Sequence, residues 1–255
     1  MKPIISVKNL SKTYRIPQRE PGLRTALRSL THSFFQEGPA VKSISFSNQP
    51  GEMVALIGPN GAGKTTTLKM LTGLLQPTSG ELLVNGFTPG KRSHDFLSNI
   101  SIVLGNKSQM LWNIPPLDTF QVLGEIYCVP KATLQLRIDE MVSLLDRSAI
   151  LRKPVRNLSL GERMKCELVA SLLHQSKVFF LDDPTLGLDI SIQNRLHNFI
   201  LEYNRKYQAT IPAQALSGQI GVDIVIISLI FAGILLLGVS WLFRQGVNRY
   251  HSASS

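Results

Sequence analysis

The run GEMVALIGPNGAGKTTTLKML, residues 51–71, constrains this chain more than any other stretch. MVALI is an apolar run of strand length that follows the Pro50-Gly51 turn. Gly58, Pro59, Asn60, Gly61, Ala62 and Gly63 then lead into Lys64, Thr65 and Thr66, where a helix begins with Leu68, Leu71 and Leu75 on one face. Gly58, Gly61 and Gly63 carry no Cβ, so the loop's N–H groups can turn inward around a phosphate. Lys64 supplies a positive charge for β- and γ-phosphates, Thr65 a hydroxyl for Mg²⁺, and the helix its positive dipole end. Strand, loop and helix stand in the order that the phosphate-binding pattern G-x-x-x-x-G-K-[ST] requires.

Such a site needs a second half, an apolar strand ending in a carboxylate. KVFFLDDPTLGLD, residues 177–189, provides it. Val178 to Leu181 form the expected strand, and Asp182 stands where a carboxylate holds Mg²⁺, directly or through water. The next residue, Asp183, occupies the position that polarises an attacking water. These segments predict an α/β fold with a P-loop NTPase core.

With both halves in place, the chain resembles the ATP-binding subunit of an ABC transporter from about Ile4 to Ile211. NLSLGERMKCEL, residues 157–168, is similar to the family's signature motif, with Ser159 and Gly161 at its key positions and Leu160 and Glu162 replacing the usual Gly and Gln. In the family's head-to-tail dimer this motif closes over ATP held by the partner's P-loop. Ser159 with Glu162 three residues on also reads as an ordinary helix N-cap, and the two readings are compatible. The resemblance further implies that Tyr14 stacks on adenine and that Asp189 lies in the loop linking the two nucleotide sites. A helical subdomain is expected at about 90–165, where Leu134, Ile138, Met141 and Leu145 recur at helical spacing. The loop entering it normally carries a Gln that senses Mg²⁺ and γ-phosphate. Here Asn106 has that position and Gln109 is the substitute. LSLGERMKCEL and LVASLLHQSKVFFLDDPTLGLD, together with TTTLKMLTGLLQPTSGELLVNG, look most like ATPases paired with ABC-2-type export permeases. That implies an ABC-2-type permease subunit as partner, a head-to-tail homodimer or ATPase pair, and ATP with Mg²⁺ as cofactors. It places the ATPase domain on the cytoplasmic side of an inner (plasma) membrane.

Three departures from the family pattern bear on chemistry. The catalytic Glu is replaced by Asp183, which draws the carboxylate back by one C–C bond from a water it must reach at about 2.6–3.2 Å. Slow hydrolysis is expected, with Lys64 and Asp183 as the catalytic pair. The switch His that contacts γ-phosphate is replaced by Leu216, and His32, His94, His174, His197 and His251 read as surface or packing residues. Everything after Ile211 follows another pattern. Residues 224–243, IVIISLIFAGILLLGVSWLF, are uncharged. As a helix at about 1.5 Å per residue they would span roughly 30 Å, the thickness of a bilayer's hydrocarbon core. Residues 212–255 resemble the C-terminal end of an ABC-2-type permease. The expected organisation is therefore an incomplete ATP-binding domain over 1–211 fused near Ile211-Pro212 to a permease-like segment with a transmembrane helix at 224–243.

The net charge of +10 favours an anionic partner but does not choose among nucleotide, nucleic acid and lipid. A DNA-repair-type ATPase shares this core, yet it usually shows coiled-coil arms or zinc-binding insertions; neither is present, and no nucleic-acid partner is expected. Cys128 and Cys166 lack metal-ligand spacing and read as structural thiols. The start, MKPIISVKNL, has no signal-peptide pattern. Leu23, Leu27, Leu30 and Phe34 in the insertion RIPQREPGLRTALRSLTHSFFQEGPA share one face of an expected surface helix.

Overall fold

Two sheets organise the chain. The computed structural model describes residues 2–17, 35–105, 107–144, 148–185 and 187–214. Strands β1 (Ile5–Pro17), β2 (Phe35–Asn48) and β4 (Ser79–Val84) form an antiparallel sheet in the order β2-β1-β4. Strands β3 (Met53–Leu56), β5 (Ile100–Leu104), β6 (Val178–Asp182) and β7 (Ile211–Gln214) form a parallel sheet in the order β3-β7-β6-β5. The α-helices among the described residues are α1 (Lys64–Leu71), α2 (His94–Ser98), α3 (Pro116–Ile126), α4 (Lys131–Leu144), α5 (Leu160–Leu172) and α6 (Ile190–Tyr207).

The parallel sheet explains why β6 reads as an unbroken apolar run. Successive side chains on a strand point to opposite faces, and here both faces are covered. Val178 and Phe180 enter a core with Leu68, Met70 and Leu71 of α1 and with Ile5, Val7 and Leu10 of β1. Phe179 and Leu181 enter a second core with Leu168 and Leu172 of α5 and Leu196 and Ile200 of α6. All five residues of β6 are buried.

Leu134, Ile138 and Met141 of α4 face the second core, beside Phe120, Ile150 and Val155, as the helical spacing predicts; Leu145 lies outside the described residues. Ile100–Leu104, expected inside the helical subdomain, is instead a strand, because ISIVL pairs in parallel register with Val178–Asp182. The consecutive helices of that subdomain therefore begin at Pro116. The insertion after the first strand is also partly sheet: Arg15, Ile16 and Pro17 pair with Glu37, Gln36 and Phe35. The helix expected over Leu23 to Phe34 lies outside the described residues.

Strand β7 runs through the expected junction at Ile211-Pro212. Ile211, Pro212, Ala213 and Gln214 pair with Met53, Val54, Ala55 and Leu56 of β3 and are all buried. The Ile211 N–H donates to Glu52 O at 2.9 Å. Pro212 has no N–H to donate, and pairing with β6 is limited to Leu181–Ala213 and a bridge at Val178–Thr210. Among the described residues no helix is long and apolar enough to cross a membrane. The run 224–243, Leu216 and His251 lie outside them.

Candidate functional site

The parallel order of β3, β7 and β6 brings the C-terminal ends of three strands together, which is where ligands bind in open α/β sheets. From β3 the chain passes through the exposed residues Gly58 to Ala62 into α1. Gly61 and Gly63 have φ of +84° and +87°, left-handed values that favour glycine. A Cβ on Gly63 would lie 2.4 Å from Ala40 O of β2, so the loop passes against the antiparallel sheet where only glycine fits.

Gly63 caps α1 without a side-chain hydrogen bond, and no acidic residue stands in the first turn. The free N–H groups of that turn therefore face an anion-binding position formed with the loop. Lys64 Nζ donates to Gly58 O at 2.7 Å and to Pro59 O at 3.0 Å. These bonds hold the ammonium over the loop's own carbonyls. An open cavity of about 470 Å³ borders the loop and includes Ala40, Lys42, Ile57, Gly61, Ala62 and Lys64 in its lining.

Thr65 and Asp182, expected to share a metal, meet directly: Thr65 Oγ1 donates to Asp182 Oδ1 at 2.9 Å. Burial pushes the Asp182 carboxyl above its usual range, and the charge of Asp183 adds to the rise. The Thr65 hydrogen bond, Lys69 and Lys64 act in the opposite direction. A hard divalent cation suits this pair, since it takes oxygen ligands and favours the ionised carboxylate that burial disfavours. The residues present fit Mg²⁺ on that ground.

Asp183 is half-buried and has φ of 50°, a left-handed value at which Asp is tolerated better than most side chains. Its backbone is confined by Gly105, whose N–H donates to Asp182 O at 2.8 Å. A Cβ on Gly105 would lie 2.3 Å from Asp183 O. Gly105 is thus the contact between the ends of β5 and β6, and sequence reading missed it. Asn106, the next residue and the first candidate for the sensing amide, lies outside the described residues. Gln109, its substitute, is turned to α5: its N–H donates to Glu167 Oε1 at 2.9 Å and its Nε2 to Glu167 O at 3.4 Å. Glu167 also accepts from Ser108 Oγ at 2.6 Å, and burial raises its pKa.

The remaining expected site residues have other partners. Ser159 forms a capping box with Glu162: Glu162 N–H donates to Ser159 Oγ at 3.3 Å, and Ser159 N–H to Glu162 Oε2 at 2.9 Å. Gly161 is buried, and a Cβ there would meet Ile192 Cδ1 of α6 at 2.4 Å. Asp189 caps α6, accepting from Ile192 N–H at 2.9 Å. Tyr14, 39% exposed, pairs with Gly38 across β1 and β2, with Lys12 Nζ 5.5 Å from its ring centre. His174 packs: it stacks on Tyr127 at 3.9 Å, and burial lowers its pKa. Among the described residues no group of His, Cys, Asp and Glu forms a further metal cluster.

A second residue absent from the sequence-based list is Gln214, at the end of β7. Thr65 Oγ1 lies 3.1 Å from its Oε1, and its Nε2 donates to Asp183 Oδ2 at 2.9 Å. The one signal for it was its place two residues before the expected histidine position.

Comparison with known proteins agrees with this geometry. The sequence model of the ABC transporter family matches residues 41–186. The chain is 30% identical over 167 residues to the ABC transporter ATP-binding protein NatA of Bacillus subtilis (strain 168), spanning 66% of this chain and 68% of that one. It is 31% identical over 216 residues to the zinc import ATP-binding protein ZnuC of Hydrogenovibrio crunogenus, spanning 80% and 69%. The fold is similar, with a TM-score of 0.65, to the dimeric post-hydrolysis structure of the ATP-binding cassette MJ0796 bound to ADP and Pi. That match has 20% identity and covers 83% of this chain and 87% of the other. Matched across both halves of the nucleotide site, the chain belongs to the family of ABC transporter ATP-binding proteins.

Proposed function

We propose that the chain binds Mg-ATP, pairs head to tail with a second ATPase, and couples ATP hydrolysis to export by an ABC-2-type permease from the cytoplasmic face of a membrane. The observation that carries the reading is the 2.9 Å bond from Thr65 to Asp182. It joins the start of the helix after the phosphate-binding loop to the carboxylate at the end of β6, across the end of the intervening strand β7. Lys64, the loop amides and the first turn of α1 hold and neutralise phosphates, which is most of what phosphoryl transfer asks of a protein. Thr65 and Asp182 would hold Mg²⁺, which would supply charge neutralisation for the phosphates. Asp183 orients the attacking water and accepts its proton.

Head-to-tail pairing brings Ser159 and Gly161 of one subunit over nucleotide held by the other. In a single chain their contacts are to Glu162 and Ile192, so these residues need a second copy to reach a phosphate. The export assignment is supported by the sequence stretches around Lys64, Ser159 and Asp182.

A second reading is favoured by two residues. Asp183 replaces the longer Glu, and Leu216 stands at the switch histidine position; a fused remnant with these features binds ATP without turnover or transport. Mg-ATP turnover of the purified full chain beside an Asp182→Asn control separates the two. Turnover above the control supports the ATPase. Turnover equal to it, in folded protein that binds nucleotide, supports the remnant.

A further inference from the structure

Strand β7 lies between β3, which leads into the phosphate-binding loop, and β6, which ends in Asp182 and Asp183. A side chain at its C-terminal end therefore faces both halves of the site. Gln214 holds that place: it pairs with Leu56 in register and is 8% exposed. Its two amide atoms have opposite hydrogen-bonding character, and each meets its complement. The acceptor Oε1 lies 3.1 Å from the Thr65 hydroxyl, and the donor Nε2 lies 2.9 Å from Asp183 Oδ2. A carboxylate at this position could accept but not donate, and an aliphatic side chain could do neither.

Geometry at Asp183 gives this contact its use. A short carboxylate on a left-handed backbone, confined by Gly105, has few ways to face a water. A buried amide on one of its oxygens fixes which oxygen is left for that water. At the other end, Thr65 has a single hydroxyl proton, shared between Asp182 Oδ1 at 2.9 Å and Gln214 Oε1 at 3.1 Å. A cation held by the Thr65 oxygen would change where that proton can point, so Gln214 Oε1 is placed to register occupation of Thr65.

We propose that Gln214 is a positioning residue that orients Asp183 and ties its orientation to the state of Thr65. The inference rests on the reading of Asp183 as the base in the proposed ATPase. Gln214 does not touch the reacting atoms; it acts through Asp183.

The test uses the full chain in detergent, labelled with ¹⁵N, with the Gln214 side-chain amide signal identified by its loss in Gln214→Leu. The signal is expected to shift in Asp183→Ala and in Thr65→Val, and to move on addition of Mg-ATP; a signal indifferent to both substitutions overturns the tether. Kinetics then separate positioning from packing. Gln214→Leu is expected to lower kcat about tenfold while the affinity for a fluorescent ATP analogue stays within about twofold. In an Asp183→Ala background it should lower kcat no further, and an equal loss in both backgrounds refutes action through Asp183. Gln214→Met serves in the same role where Gln214→Leu does not fold. Should the unsubstituted chain bind nucleotide but show no turnover above Asp182→Asn, the ATPase reading fails, and the amide signal alone decides the tether.

Discussion

Gly105→Ala tests whether the base is held by close backbone contact. The added Cβ would lie 2.3 Å from Asp183 O and 3.1 Å from Asp183 C, whereas real Cβ contacts essentially never fall below 3.0 Å. The gap to be opened is at least 3.0 − 2.3 = 0.7 Å, and 3.4 − 2.3 = 1.1 Å to reach ordinary contact. Both opposing atoms are backbone, so the displacement falls on the end of β6 and not on a side chain that can swing away. Gly105 has no left-handed φ, and its N–H bond to Asp182 O needs no glycine. Alanine therefore adds bulk alone. Overpacking of this kind costs about 1–3 kcal/mol, which lowers Tm by a few degrees for a chain of this size. A displacement of about 1 Å at a reacting group lowers turnover about 10²-fold. Phosphate binding, which rests on Gly58 to Thr66, should persist. The assays are thermal unfolding, affinity for a fluorescent ATP analogue, and Mg-ATP turnover set against Asp182→Asn. A Gly105→Ala protein with unchanged Tm and turnover within twofold of the parent would refute the claim that this contact positions Asp183.

Further expectations follow from burial and charge. In the nucleotide-free protein the raised pKa of Asp182 means that its contribution to stability is fully present below its unfolded pKa and is lost as pH rises through the folded value. Asp182→Asn should therefore raise Tm at neutral pH while abolishing the Mg²⁺ dependence of nucleotide binding, and a lowered Tm counts against the burial argument. Burial pushes the Cys166 thiol up to about 12, whereas Cys128 is exposed; a chromogenic disulfide reagent at pH 8 should titrate one thiol in the native chain and two in denaturant. Phe180→Ala removes a fully buried ring from β6 and should cost about 3–5 kcal/mol, read as a shift of the denaturant midpoint. Asp183→Asn should lower turnover at least tenfold with nucleotide affinity unchanged, since an amide cannot accept the proton of the attacking water.

What the sequence alone determined is local. The loop from Gly58 to Thr66 is specified by glycines at left-handed φ and by a lysine and hydroxyl placed at the start of a helix. Period and composition sufficed for β6 and for the buried face of α4, because apolar spacing follows directly from backbone geometry. Ser159 as a cap of α5 was legible for the same reason: its partner is three residues away.

Tertiary structure decided what depends on residues distant in the chain. Ile100–Leu104 is a strand because Val178–Asp182 lies beside it, and the antiparallel pairing of Arg15 to Pro17 with Phe35 to Glu37 extends sheet into a segment whose sequence suggests a loop and helix. Ile211-Pro212 read as a junction, yet Ile211–Gln214 is a strand between β3 and β6, where its four residues are buried despite the N–H that Pro212 lacks. Gly105 and Gln214 carried no motif. Their importance arises only when the ends of β5, β6 and β7 are brought within hydrogen-bond reach of Asp183 and Thr65, and a contact between residues 65, 105, 183 and 214 leaves no periodic trace in any one stretch of sequence.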